Sequence, residues 1–203
     1  RLGRPRDDRG LHGRRRGPGA ALLFLCGLLA GLPWLGANLG AATTGFAACG
    51  LWWAAGRRRA DARAVAEVAL VVAAGVGIVL LAHALAPTPT HVSDALRGGG
   101  LASRFLDRLA IGVRMVREQP FAIVPALGPL ALLAVALRPP APIAVGFEAS
   151  PGSREVALVA ALAGVAAYVA NDTGASAAGL TWGLGLVLAL WVSLRAAAGR
   201  MSG

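Results

Sequence analysis

The sequence contains no lysine, two cysteines and few charges of either sign. All 20 basic residues are arginine, ten residues are acidic, and charged residues make up 15% of the 203 positions. Together with abundant alanine and glycine, this all-arginine basic set indicates a bacterial genome of high GC content. Cys26 and Cys49 lack the spacing of a metal site and a disulfide context. We therefore interpret both as small hydrophobic residues and expect no metal.

Motifs of common enzymes are also absent from the sequence. It has no Gly-x-Ser-x-Gly, no His-Glu-x-x-His and no paired cysteines, and Gly98-Gly99-Gly100 is followed by neither Lys-Ser nor Lys-Thr. A net charge of +10 could suggest nucleic acid, but the arginines lie at the ends of apolar blocks and no aromatic residues alternate with them. We expect no nucleic-acid partner and no cofactor, and the sequence leaves open whether the chain is an enzyme.

Long apolar blocks dominate what is present. Hydrophobic residues make up 56% of the chain and the mean hydropathy is +0.63, which is outside the range of soluble globular proteins. The first and last blocks, 18–55 and 156–194, are 38 and 39 residues long. As a single helix each would measure about 57 Å, against a hydrocarbon core of about 30 Å. Each of these blocks must therefore fold back on itself.

Both long blocks carry a polar interruption at which a hairpin can turn. Residues 33–40 read Pro-Trp-Leu-Gly-Ala-Asn-Leu-Gly, and residues 171–174 read Asn-Asp-Thr-Gly. Two shorter apolar blocks, one before and one after the polar interval 87–120, fit one crossing each. Pro125 and Pro129 predict a kink in the later of these two blocks. The predicted fold class is therefore all-α, a polytopic transmembrane bundle of about six segments that include two short helical hairpins.

The polar interval 87–120 predicts a loop followed by an amphipathic helix over 101–117. At about 100° per residue, one face of this helix is apolar and the other carries five charged residues, with Glu118 directly after them. This pattern is typical of a helix that lies in the membrane interface, although contact with another domain would produce the same pattern. The interfacial face contains Phe105, Leu109, Val113 and Val116. The stretch 141–155 is predicted to be a loop.

Arginine positions predict that both termini are cytoplasmic. Arginine clusters flank the first long block and Arg195 follows the last one, as the positive-inside rule requires. In this topology five arginines of 97–117 lie on the extracytoplasmic side, which counts against the positive-inside rule. An interfacial helix weakens this objection. We expect the bacterial cytoplasmic membrane as the location, and an upstream part of the same polypeptide before Arg1. The predicted organisation is a cytoplasmic basic segment (1–17), a hairpin plus one span (18–86), an extracytoplasmic loop with the interfacial helix (87–120), a kinked span plus the second hairpin (121–194) and a cytoplasmic tail (195–203).

Asp172 is the one acidic residue that lies deep within an apolar block. A carboxylate there costs about 2.5–3.5 kcal/mol on insertion scales, so it usually faces a bundle interior or a water-filled cavity. It could contact an ion, a proton or a polar headgroup, or it could belong to an ordinary solvated turn. His91 could likewise be a ligand, an acid–base group or a plain loop residue. The predicted topology places on one side of the membrane the candidate polar site Asn38, His91, Asp94, Asn171, Asp172, Thr173 and Gly174.

Three short segments of the sequence resemble a known group of proteins. These are residues 33–40, Thr90-His91 and residues 171–174. They are similar to the C-terminal membrane region of large bacterial multipass envelope proteins, some described as having an alkaline-phosphatase-like extracytoplasmic part. In that group an Asn-Asp-Ser-Gly turn precedes the last helix, and here Thr173 replaces the serine and keeps the hydroxyl. After Thr90-His91 this chain has Val-Ser-Asp where Leu-Gly-Arg is expected.

The resemblance covers about residues 33–194 and implies an upstream part of the polypeptide. No hydrolase metal ligands can be carried onto this chain. The resulting functional hypothesis is a membrane module of a larger envelope protein, acting on or near lipid-linked or phosphorylated extracytoplasmic material. An alternative is a transporter or permease component, in which the two broken hairpins form inverted repeats around a midplane site. A third is a structural membrane subunit.

Overall fold

The computed structural model of the chain describes residues 16–55, 61–98, 100–150, 152–171 and 174–201. Within these ranges the chain forms nine α-helices and one 3-10 helix and no strand, which confirms the all-α fold class. The helices are α1 (Arg16–Gly31), α2 (Leu39–Ala54), α3 (Ala62–Leu85), α4 (His91–Arg97), α5 (Leu101–Glu118), the 3-10 helix Pro120–Ala122, α6 (Ile123–Leu137), α7 (Ala141–Ala149), α8 (Ser153–Ala170) and α9 (Gly174–Met201). Residues 1–15 of the predicted N-terminal segment and residues 202–203 of the predicted tail lie outside the described residues.

Four stretches of helix are long and apolar enough to span a membrane. They are Ala62–Leu85, Pro120–Leu137, Ser153–Ala170 and Ser176–Gly199, and Gly17–Gly31 is a shorter apolar helix. Many large apolar side chains on these helices are exposed, for example Leu85 at 74%, Leu184 at 65% and Leu194 at 71%. An apolar surface of this extent is unfavourable in water and is what a lipid environment requires. The chain is therefore a membrane protein, as its composition predicts.

The first long block folds into the predicted hairpin. α1 ends at Gly31, and α2 begins after Asn38, whose side-chain oxygen accepts a hydrogen bond from the Ala41 N–H at 2.9 Å. This N-cap satisfies one of the free N–H groups in the first turn of α2. The Asn38 N–H in turn donates to the carbonyl of Ala30 at 2.9 Å, which closes the turn.

The second long block also folds into a hairpin, but one of its arms is longer than predicted. α8 ends at Ala170 and α9 begins at Gly174, so the chain breaks at the predicted interruption. The prediction of a short second arm is wrong, because α9 continues through Arg195 to Met201 and is 28 residues long. Arginine and alanine are good helix formers, so the first arginine ends the apolar run without ending the helix.

Two further helices lie in segments that were predicted to be irregular. The predicted loop 141–155 contains the nine-residue α7, whose first N–H groups bond to the Pro140 carbonyl. Gly146 on α7 packs against Ser193 of α9, and a Cβ atom there would lie 2.7 Å from the Ser193 backbone. α4 similarly interrupts the predicted loop after residue 87. Packing on α9 stabilises α7, which is too short to be recognised by the length of its apolar run.

Proline affects α6 less than the sequence suggests. Pro125 lies in the first turn of this helix, where a missing N–H and a fixed φ are tolerated. Pro129 lies in its interior and is buried against Gly164 of α8, where a Cβ would lie 3.0 Å from the proline ring. Of the two prolines from which a kink was predicted, only Pro129 therefore lies in the helix interior, and the kink itself stays a prediction.

Six helices of the bundle, α1, α2, α3, α6, α8 and α9, alternate in direction, so their ends form two groups. We call one group the basic end; it contains the N-termini of α1, α3 and α8 and the C-termini of α2, α6 and α9. The opposite group is the polar end. Close contacts establish this arrangement, namely Gly19 with Trp52, Gly50 with Val68, Gly146 with Ser193, and Gly40 with Ala170. At the basic end the Arg154 guanidinium also donates to the carbonyls of Ala136 and Leu137 at 2.7 and 3.0 Å.

Small residues let the helices of the first half approach closely. Phe46 of α2 is fully buried, with Gly27 of α1 and Gly75 of α3 against its ring. A Cβ atom on Gly27 would lie 2.8 Å from the ring, so there is room for the phenyl group because both glycines lack a side chain. The other half joins through Ala48 of α2 and Ala163 of α8, which share one buried cluster. Such small-residue interfaces are usual for membrane helices.

α5 confirms the predicted amphipathic helix, and it is one residue longer than predicted. Of its predicted interfacial residues, Leu109 and Val116 are half-buried and Val113 is exposed. The side chain of Phe105 lies outside the described part of the chain. The location of α5 in the membrane interface stays a prediction.

Candidate functional site

A buried histidine joins three elements at the polar end. The His83 side chain is 1% exposed, near the end of α3. Its Nε2 lies 2.9 Å from the carbonyl oxygen of Gly31, the last residue of α1, and its Nδ1 lies 2.7 Å from the Thr90 hydroxyl oxygen. A carbonyl oxygen accepts only, so Nε2 carries the hydrogen in this arrangement. We call His83, Gly31 and Thr90 the histidine clasp.

The hydroxyl that His83 contacts is itself held in place by the start of α4. The Thr90 N–H donates to the Ser93 hydroxyl at 2.8 Å, and the Ser93 N–H donates to the Thr90 hydroxyl at 3.1 Å. This reciprocal pair has the form of a capping box, with Ser93 in the position where glutamate is common. Ser93 is 2% exposed and also donates to the Thr90 carbonyl at 2.8 Å. The clasp is therefore built on a fixed helix start.

The histidine clasp engages both nitrogens of the imidazole. In the neutral ring Nε2 donates to the Gly31 carbonyl and Nδ1 accepts from the Thr90 hydroxyl. Both ring nitrogens are already in hydrogen bonds, so a ligand or metal would have to break one of them. The geometry makes His83 a positioning group that connects α1, α3 and α4. It does not present a free base to a substrate.

The two broken hairpins meet beside this clasp. Gly40, in the first turn of α2, lies against the carbonyl of Ala170 and the Cα of Asn171 at the end of α8, and no Cβ would fit there. Asn171 is 7% exposed, and its N–H donates to the Ala167 carbonyl at 3.0 Å. The positive end of α2 therefore faces the negative end of α8, which is a favourable arrangement of helix dipoles.

The structure places several of the predicted site residues at this one end. Asn38 caps α2 two residues before Gly40, and Asn171 ends α8 on the other side of the same contact. His91 and Asp94 are exposed in the first turn of α4, directly after Thr90. Gly174 is the first residue of α9, whereas Asp172 and Thr173 lie outside the described residues. Within the part of the chain that the structure describes, no three His, Cys, Asp or Glu side chains are close enough to hold a metal ion.

The polar residues that contribute most to this site were not predicted. The roles of His83, Ser93 and the Gly31 carbonyl depend on their contacts with one another's elements, and no sequence motif marks them. A usable signal was present, since an ionisable side chain inside an apolar block usually contacts a partner in the bundle. For His83 that partner is the backbone carbonyl of Gly31, 52 positions earlier in the chain. No local sequence pattern reveals such a contact.

Trp182 is a second buried group that the sequence did not explain. Its indole ring lies on Gly128 of α6, with no room for a Cβ there, and its Cβ approaches Gly164 of α8. The indole N–H is buried and has no hydrogen-bond partner within the described residues. Trp182 thus fills the junction of α6, α8 and α9, which explains a tryptophan in the middle of a helix instead of at an interface.

Arginine is distributed unequally between the two ends. Fifteen of the twenty arginines fall in segments that adjoin the basic end in sequence, and five fall in residues 97–117. At the basic end the Arg195 guanidinium lies 5.4 Å from the centre of the Trp191 ring, a cation–π arrangement typical of a membrane boundary. The polar end is therefore the end with fewer orienting charges.

No protein-family model, no curated protein and no solved structure matches this chain.

Proposed function

We propose that this chain is the membrane module of a larger bacterial envelope protein in the cytoplasmic membrane. Its polar end would contact the polar part of lipid-linked or phosphorylated extracytoplasmic material. The observation that carries this proposal is the meeting of both hairpin interruptions at one end, beside a buried histidine clasp. Polar groups that converge in an otherwise apolar bundle are the usual composition of a membrane binding site.

The lengths of the helices support a site that is set below the membrane surface. α1 and α2 have 16 residues each, or about 24 Å, and the 18 residues of α8 give about 27 Å. A hydrocarbon core of about 30 Å is longer than any of them. If the basic end lies at the opposite boundary, the two interruptions lie inside the headgroup level. A headgroup or a phosphorylated group could then reach them from the extracytoplasmic side.

The direction of the hairpins favours this proposal over the inverted-repeat transporter. Inverted repeats require the two hairpins to run in opposite directions across the membrane. Here α1 and α8 both start at the basic end, and both hairpin turns lie at the polar end. The two turns therefore approach the same side instead of meeting at the midplane from opposite sides. The Asp172 experiment described next distinguishes our proposal from the third hypothesis, a structural membrane subunit.

Removal of the charge at Asp172 in the full-length protein tests the proposal. Asp172→Asn preserves a residue that turns favour and removes the carboxylate. We expect loss of complementation in a deletion strain, with unchanged membrane insertion and abundance. Glu148→Gln on α7 is the matched control, because this carboxylate is exposed and lies at the basic end of the bundle. Full complementation by Asp172→Asn would show that the turn has a structural role alone.

A further inference from the structure

α5 presents an apolar strip that the bundle leaves uncovered. Leu106 and Val113 are 63% and 68% exposed, and they lie on the same face because seven residues make almost two full turns. Gly112, which is buried, lies about 100° around the helix from Val113 and faces the Tyr168 hydroxyl of α8. One side of the apolar face therefore contacts the bundle, and the adjoining strip remains free.

Arginines border this free strip. Arg117 lies one turn after Val113, about 40° around the helix, and Arg114 is the next residue along; both are exposed. Arg97, at the end of α4, is also exposed, and residues 97–118 contain five arginines against two acidic residues. An arginine beside an apolar strip can lay its aliphatic stem along that strip and extend its guanidinium to a phosphate, often with two hydrogen bonds.

The position of α5 selects a lipid surface from the possible occupants. Tyr168, which Gly112 contacts, lies two residues before the end of α8, so α5 is near the polar end of the bundle. An amphipathic helix near this end lies at the boundary between acyl chains and headgroups, and the headgroup phosphates complement the arginine excess. We propose that α5 binds anionic phospholipid headgroups at the polar end, with Leu106 and Val113 inserted among the acyl chains.

A local fluorescence measurement on the full chain tests this proposal. Val113→Cys, in a background of Cys26→Ala and Cys49→Ala, carries a bimane label in vesicles that mix phosphatidylglycerol and phosphatidylcholine. A nitroxide is attached to the headgroup of one lipid or of the other, at equal mole fraction. We expect the nitroxide on phosphatidylglycerol to quench the label about two- to fivefold more strongly at low salt, with the difference lost at high salt. The same label on Leu106→Cys, in the same background, should give the same result.

Charge variants separate headgroup recognition from simple insertion. Arg114→Gln combined with Arg117→Gln should abolish the preference for phosphatidylglycerol. The matched pair Arg63→Gln and Arg138→Gln, exposed at the basic end, should leave it unchanged. Equal quenching by both nitroxide lipids would overturn the proposal, because it would indicate apolar insertion without headgroup recognition. A label shielded from lipid nitroxides and from aqueous iodide would also overturn it, because another protein segment would then cover the strip.

Discussion

The histidine clasp gives the most direct prediction about stability. His83→Leu removes both hydrogen bonds of the imidazole while keeping an apolar side chain of similar size. The Gly31 carbonyl and the Thr90 hydroxyl then lose their partner in a site where His83 itself is 1% exposed. Because Leu fills most of the space, the lost hydrogen bonds and not a cavity should determine the effect.

The expected loss of stability is about 2 kcal/mol. A buried acceptor that loses its donor costs about 1–3 kcal/mol in soluble proteins. Hydrogen bonds between membrane helices average about 0.6 kcal/mol and reach about 1.7 kcal/mol, because polar groups find other partners in the unfolded state within the membrane. Two such bonds, at 2.9 and 2.7 Å, therefore fall between about 1 and 3 kcal/mol.

A double-mutant cycle with Thr90→Val separates the interaction from the cap of α4. Thr90→Val alone removes the contact with His83 and also the acceptor of the Ser93 N–H, which by itself is about 1 kcal/mol. The double variant should be more stable than the sum of the single losses predicts, by about 0.5–1.7 kcal/mol. Equilibrium unfolding in mixed micelles measures all four free energies.

His91→Leu is the control, since the same residue type is exposed eight positions later and its contacts should therefore contribute less to stability than the two buried bonds of His83. Our reasoning is wrong if His83→Leu equals this control. It is also wrong if the losses of His83→Leu and Thr90→Val simply add, because the two side chains would then not interact.

Three further predictions concern packing, capping and orientation. Gly40→Ala should lower the free energy of unfolding by about 2 kcal/mol, because its Cβ would collide with the backbone at the end of α8. Gly77→Ala should raise the free energy of unfolding by about 0.5–1 kcal/mol, because nothing lies within 4 Å of the added Cβ. Arg154→Gln should lower the unfolding temperature and expose the last turn of α6 to hydrogen exchange, since two carbonyl partners are lost; unchanged exchange would contradict this role. Cysteines introduced at Asn38 and Gly203 should react with impermeant reagents from opposite sides of the membrane, and labelling from the same side would refute the six-segment topology.

Run length and polar interruptions predict the architecture because they act locally. The two long blocks cannot cross once, and residues such as Pro33 and Asn38 supply a turn. The predictions fail where tertiary packing or helix propensity overrides the length of an apolar run. α7 forms because Gly146 lets it rest on α9, and α9 passes Arg195 because three alanines, which favour helix, follow it. Neither property can be read from the length of an apolar block.

The sequence predicts on which side of the membrane the candidate site lies, but it does not predict the contacts that form the site. Topology alone places Asn38 and Asn171 on the same side. Their proximity depends on Gly40, a residue without a side chain whose importance appears when α2 meets α8. That meeting joins segments more than a hundred residues apart, through alanines such as Ala48 and Ala163. Alanine is common along this whole chain, so composition cannot indicate which alanines pair.

The contacts around the first hairpin turn explain how a short, apolar bundle can hold a polar site in a fixed geometry. The turn is held at both ends, by the bond from His83 to Gly31 on one side and by the packing of Gly40 on α8 on the other. Between them Trp34 and Leu35 are 64% and 63% exposed, so the middle of the turn faces its surroundings. Tryptophan favours the boundary between lipid and water, which matches the depth proposed for this turn. A turn with fixed ends does not have to be ordered when a polar group binds, and this would lower the entropic cost of the binding proposed for the polar end.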